Sequence, residues 1–168
     1  MCLFFVERAV HIPTLHTIKK VVHYQKIVKK LEVVIVKLSI QSKEKDIIEF
    51  LNHLHQILQH ENFDIDKDLT LIRKKKKNEE QFSTPYTLLD LDYDMFDVVE
   101  RLKELTIKEY SETLIDKDDL NPPMLFVFGK DIQCRQVYIK LKMKGVSTRH
   151  VLCVSFHYAK RKMRFPYA

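Results

Sequence analysis

The strongest constraint on this fold is a change of period near Asn121-Pro122-Pro123. Before it, apolar residues recur at helical spacing; after it, they alternate. The three residues cannot continue a helix, because proline lacks an amide proton and pushes its predecessor toward extended backbone. Residues 124–130, 135–143 and 149–158 read as three strands, with Lys144-Gly145-Val146-Ser147 as the hairpin turn between the last two. The chain is therefore expected to be α+β, with N-terminal helices packed on a C-terminal three-stranded antiparallel sheet.

Upstream, Ile47, Leu51, Leu54 and Leu58 mark a helix that Asp46 is placed to start. Leu69-Thr70-Leu71-Ile72 reads as a short strand, followed by the basic run Arg73-Lys74-Lys75-Lys76-Lys77, which suits either a solvated turn or a phosphate contact. Thr84-Pro85 opens a further helix, and Asp92 or Asp94 caps the next. Thr106 with Glu109 forms a capping box. Residues 1–44 differ from the rest and form an extension of uncertain role, leaving 45–168 as the main domain. Within the extension, Leu15, Ile18, Val22 and Leu31 suggest an amphipathic helix, and residues 33–38 a strand.

Charge is sorted along the chain. Residues 79–119 carry thirteen acids and four bases, whereas residues 120–168 carry ten bases and one acid, Asp131. A basic face of that density suits a polyanion, and the acidic stretch can pair with it or shield it. Only two glycines, Gly129 and Gly145, are present, so there is no glycine-rich phosphate loop. Three cysteines without a CxxC pair favour a reducing compartment over a disulfide framework or zinc knuckle. No apolar run reaches about 18 residues, and the apolar opening is too short for a secretory signal, so a cytoplasmic protein is expected. His53, Gln56 and His60 share a helical face but lack the supporting ligands zinc needs, and the aspartates between 90 and 97 suit helix capping better than a metal. Neither metal nor cofactor is expected.

In residues 135–143, Val137, Ile139, Leu141 and Met143 point into the core, and Gln136, Tyr138, Lys140 and Lys142 point away. Continued alternation sends Leu152, Val154 and Phe156 inward, and Val151, Cys153, Ser155 and His157 to the open face. RNA cleavage without a metal needs a base for the 2′-OH, a cation for the phosphorane and an acid for the 5′-oxygen. His157 can serve as base or acid at neutral pH. Tyr138 can donate a proton if surrounding lysines lower its pKa. Lys130, Lys140 and Arg135 can hold phosphate, and Lys142, Arg149, Arg161 and Arg164 extend the set of RNA-binding candidates. These side chains equally suit an ordinary amphipathic sheet.

Arg135-Gln136-Val137-Tyr138-Ile139-Lys140-Leu141 followed by Val151-Leu152-Cys153-Val154-Ser155-Phe156 resembles the paired terminal strands of the MqsR family of mRNA interferase toxins, which have a RelE-like α+β fold. Phe128-Gly129-Lys130, Tyr138 to Lys142, Ser155-Phe156-His157 and Phe165-Pro166-Tyr167 resemble steps of the family's Firmicutes members. Leu105-Thr106 with Glu109-Tyr110 resembles a leucine–threonine helix of the same family. The likeness covers about residues 46–168. It implies a toxin of a type II toxin–antitoxin system, a metal-independent mRNA endoribonuclease held by a cognate antitoxin. It places the family's catalytic tyrosine on Tyr138 and, through the Firmicutes members, points to Lys130 and His157 as further catalytic residues. The family's helical lysine falls on or near Glu112, a reversed charge, and its loop glutamine falls near Phe126-Val127. The alternative is therefore a domain that binds RNA, or a protein partner, without cutting.

Overall fold

The computed structural model describes residues 39–75, 77–117, 119, 124–144 and 149–168. The helix and strand expected before residue 39, the break at residues 121–123 and most of the hairpin turn after Lys144 lie outside these residues.

Among the described residues, the elements run β1 (Ser39–Ile40), α1 (Glu44–Leu58), α2 (Ile65–Asp68), β2 (Leu69–Leu71), α3 (Thr84–Leu91), α4 (Met95–Lys103), β3 (Tyr110–Ile115), β4 (Met124–Ile132), β5 (Arg135–Lys144) and β6 (His150–Tyr158). The strands form one mixed sheet in the order β1-β3-β4-β5-β6-β2. All neighbours are antiparallel except β2, which runs parallel to β6. The α+β class holds, but the expected three-stranded antiparallel sheet is corrected to six strands.

The three added strands have separate causes. Thr106 and Glu109 do form a capping box, with Glu109 Oε2 accepting from Thr106 N–H at 2.7 Å, but the helical turn lasts only three residues. Tyr110-Ser111-Glu112-Thr113-Leu114-Ile115 then extends as β3, as its aromatic and β-branched content favours. β2 was legible as a strand, but its parallel docking on β6 is a long-range pairing. β1 is two residues long and reads as a strand only through its partner β3.

The helices lie against one face of the sheet. Ile47, Leu54 and Leu58 of α1, Leu88 and Leu91 of α3, and Val98 and Leu102 of α4 bury against Phe126, Phe128, Val137, Ile139, Leu141 and Phe156. The cap of α1 is Lys43 rather than Asp46; Glu44 and Asp46 instead place negative charge in the first turn. Ser83, not Thr84, caps α3, freeing the Thr84 and Thr87 hydroxyls to accept from the Phe156 and Tyr158 amides of β6. Asp92 ends α3 in a left-handed conformation (φ 55°), and Asp94 caps α4 with a reciprocal bond to Asp97. β4 and β5 join through Gln133 and Cys134, both at positive φ, as a tight two-residue hairpin requires.

Two register shifts decide which side chains reach the open face. One lies in β3 between Tyr110 and Glu112, so Tyr110 and Thr113 bury on the helix side while Glu112 faces the other way, opposite Val127. The second lies between β5 and β6, where Lys140 pairs with Ser155 but Leu141 pairs with Cys153. The extra residue in β6 reverses the expected alternation. Val151 and Cys153 are core residues with no exposure, and Leu152 and Val154 stand on the open side. The expected places of Val151, Cys153, Leu152 and Val154 are corrected accordingly; Ser155, Phe156 and His157 lie past the bulge and keep theirs.

Candidate nucleic-acid site on the open sheet face

Tyr138 and His157 are direct partners in the β5–β6 ladder and project from the face opposite the helices. Their rings stack with centroids 5.3 Å apart and an interplanar angle of 13°. His157 Nδ1 lies 3.0 Å from the Tyr158 carbonyl oxygen, which can only accept, so Nδ1 carries a proton. In the neutral ring Nε2 then holds the lone pair. The side chain is buried, at 8 % exposure, yet it helps to line a cleft of about 640 Å³.

That cleft is cationic. Lys74 follows β2, Lys117 follows β3, and Lys140 and Lys144 belong to β5; all four line it, together with Thr84 and Ser155. Asp116 and Asp119 line it too, but both bind Lys142 Nζ, at 2.8 and 2.9 Å. Lys140 is among the phosphate candidates of the sequence, and Lys74 belongs to the basic run that suits either a solvated turn or a phosphate contact. Lys117 and Lys144 were missed, because no local signal shows that the ends of three different elements converge.

The remaining candidates separate. Lys130 pairs with Val137 across the β4–β5 ladder and so projects on the helix side, opposite to Tyr138. There it bridges Glu109 at 2.9 Å and Glu104 at 3.3 Å. Its expected place beside Tyr138 is corrected: alternation alone puts Gly129, not Lys130, next to the phenol. Arg135 also lies on the helix side, bonded to Asp90 at 2.7 Å and stacked 3.3 Å over the Tyr158 ring. Lys142 is on the open side but has no side-chain exposure. Arg149 reaches His60 and the Asn62 carbonyl beyond the end of α1, with Asp68 at 3.6 Å. Arg161 and Arg164 are exposed on the C-terminal segment.

That segment crosses one end of the open face. Gln136 Oε1 accepts from the Met163 amide at 2.8 Å, and Tyr167 Oη donates to the Ser42 carbonyl at 2.8 Å. Between these anchors, Met163 and Phe165 pass directly over Gly129; a Cβ there would lie 2.7 Å from Met163 Sδ and 2.9 Å from the Phe165 ring. The face is thus strapped at the Gly129 end and open at the Lys140 end.

The phenol of Tyr138 does not meet the electrostatic surroundings expected of it. Burial, and then the Glu112 carboxylate on the same face, push its pKa up to about 12. Lysines were expected to lower it, but Lys142 is paired with two carboxylates, and the charge that acts on the phenol is the Glu112 carboxylate. Tyr138 therefore stays protonated throughout the neutral range. Its ring stacks on the His157 imidazole. Cys153, expected on this face, is buried with its thiol pushed up to about 12 by burial. Among the described residues no group of three or more His, Cys, Asp or Glu could hold a metal, and no helix is long and apolar enough to cross a membrane.

Comparison with protein-family models, with curated proteins and with solved structures finds no match to this chain.

Proposed function

We propose that the domain is a metal-independent endoribonuclease acting on mRNA, the toxin half of a cytoplasmic toxin–antitoxin pair. The observation that carries this reading is the Tyr138–His157 stack at the end of a lysine-lined cleft. In this reading His157 Nε2 removes the 2′-OH proton, and the freed oxygen attacks the adjacent phosphorus. The P–O5′ bond breaks, giving a 2′,3′-cyclic phosphate and a 5′-hydroxyl. Lys140 neutralises the phosphorane and protonates the departing 5′-oxygen; the His157 imidazolium then gives its proton to water and Lys140 regains one from water, which restores both groups. Tyr138 holds the imidazole plane, and Lys74, Lys117 and Lys144 steer the backbone. The sequence resemblance to the MqsR family supports the same assignment and supplies the expectation of an antitoxin partner.

The test is incubation of the purified protein with single-stranded RNA in EDTA. Cleavage to cyclic-phosphate ends, abolished in His157→Ala, supports the reading. A second reading, RNA binding without cleavage, is favoured by one observation: at or near the position of the family's helical lysine this chain carries Glu112, whose carboxylate lies on the same face as Tyr138. Retention of intact RNA by the wild-type protein, weakened in Lys140→Ala, would select it.

A further inference from the structure

A second surface, far in sequence from the cleft residues of β5 and β6, combines apolar anchors with acidic charge. Leu89 of α3 is 83 % exposed and Phe96 of α4 is 68 % exposed, the two most exposed large apolar side chains among the described residues. Single exposed apolar residues are ordinary. These two, however, line the same groove, about 760 Å³ in volume, where α3 gives way to α4. Leu88 and Met95 contribute to its apolar floor.

The rim is set by the turn that joins the helices. Asp92 closes α3 with left-handed backbone, Asp94 caps α4, and Asp97 completes the capping box. All three line the groove, and Arg73 is the one base among the described residues that does so. The local fold thus fixes three carboxylates around two apolar anchors. Capping bonds hold Asp94 and Asp97 in place without neutralising them.

We infer that this groove is a docking site for a basic amphipathic helix of a partner protein. Apolar residues spaced along one helical face would cover Leu89 and Phe96, and flanking lysines or arginines would meet Asp92, Asp94 and Asp97. An acidic ligand is repelled by this rim, and a plain apolar one leaves the carboxylates uncompensated. The inference is independent of the ribonuclease reading, because it uses none of the cleft residues.

The probe is a labelled synthetic peptide of about 18 residues with leucine and lysine at helical spacing, long enough to present several anchor turns. Fluorescence anisotropy compares its binding to the full chain with that of a scrambled peptide of equal composition and a leucine–glutamate analogue. The leucine–lysine helix is expected to bind at least about tenfold tighter than either control. Leu89→Ser and Phe96→Ser should each weaken it about fivefold or more without moving the melting temperature, since both side chains are already exposed. Asp92→Asn, which keeps a residue tolerant of left-handed backbone, should weaken it and flatten its salt dependence. Equal binding of the scrambled peptide, or affinity unchanged in both serine variants, overturns the inference. So does a wild-type dimer in sedimentation that Leu89→Ser converts to monomer, because a second copy would then be the occupant.

Discussion

The ring of Tyr138 lies nearly parallel to that of His157, 5.3 Å away on the adjacent strand, while the imidazole donates its Nδ1 proton to the Tyr158 carbonyl. Two contacts thus fix both the plane and the tautomer of a histidine that borders a lysine-lined cleft. If His157 is the base, His157→Ala should lower RNA cleavage by about a hundredfold or more. Tyr138→Phe preserves the stack and should retain most of the rate, whereas Tyr138→Ala should lower kcat and broaden the pH profile by freeing the imidazole. Equal losses in the Phe and Ala variants would instead give the phenolic proton a direct part.

The same phenol makes a pH prediction that needs no RNA. Tyr138 is pushed up to about 12 by burial and by Glu112, and Tyr158 to about 12 by burial and by its bond to Asp90. The unfolded chain ionises its tyrosines near ~10, so the folded state binds these protons more tightly. Their contribution to stability is complete below that pH and is lost as pH rises toward 12. Tyr138→Phe should therefore flatten the fall of unfolding free energy over this alkaline interval, measured by urea titration at several pH values. Phenolate absorbance should show both groups ionising late. A slope unchanged in Tyr138→Phe would mean that the phenol is solvated.

Gly129 gives a packing prediction. A methyl group there meets Met163 Sδ at 2.7 Å and the Phe165 ring at 2.9 Å. The thioether can swing aside, but the ring is held between the Gln136 and Ser42 anchors. Gly129→Ala should cost about 1–3 kcal/mol by overpacking. Phe165→Leu in the same chain should recover part of that loss, read as a partial return of the melting temperature. No recovery would locate the strain in the strand backbone instead of the strap.

Local signals made much of this fold legible. The alternation in β5 placed Val137, Ile139 and Leu141 in the core, and the capping residues Asp94 and Thr106 do cap their turns. Alternation also put Tyr138 and His157 on one face, since His157 lies with Ser155 and Phe156 beyond the β6 bulge, away from the β5–β6 turn. Where a bulge intervened, the same rule failed: Cys153 and Leu152 exchanged faces. Lys130 was misplaced for a simpler reason, because composition groups cations that a period of two sets on opposite sides of a sheet. The contributions of Lys74, Lys117 and Lys144 depend on strand order, which no local pattern encodes.

Lys142 shows how a residue read as an RNA contact can instead hold the floor of the cleft together. Its side chain has no exposure, and Nζ bonds Asp116 at 2.8 Å, Asp119 at 2.9 Å and the Asp119 carbonyl at 2.9 Å. Burial works against the charge, but the hydrogen bonds to both carboxylates prevail and raise its pKa above the usual lysine value. Asp116→Asn should cost about 1–2 kcal/mol, because the Asp119 pair survives. Removing both carboxylates leaves a buried ammonium without a counter-charge and should cost about 3–5 kcal/mol, more than the two single changes together. Lys142→Met should cost less than that double variant, since Asp119 is half-exposed and can turn toward water. It should also weaken RNA binding, because two carboxylates in the cleft lose their cation. Urea unfolding of Asp116→Asn, Asp119→Asn, the double variant and Lys142→Met orders these costs; equal losses in Lys142→Met and the double variant would show that the pair itself, and not the unpaired ammonium, sets the energy.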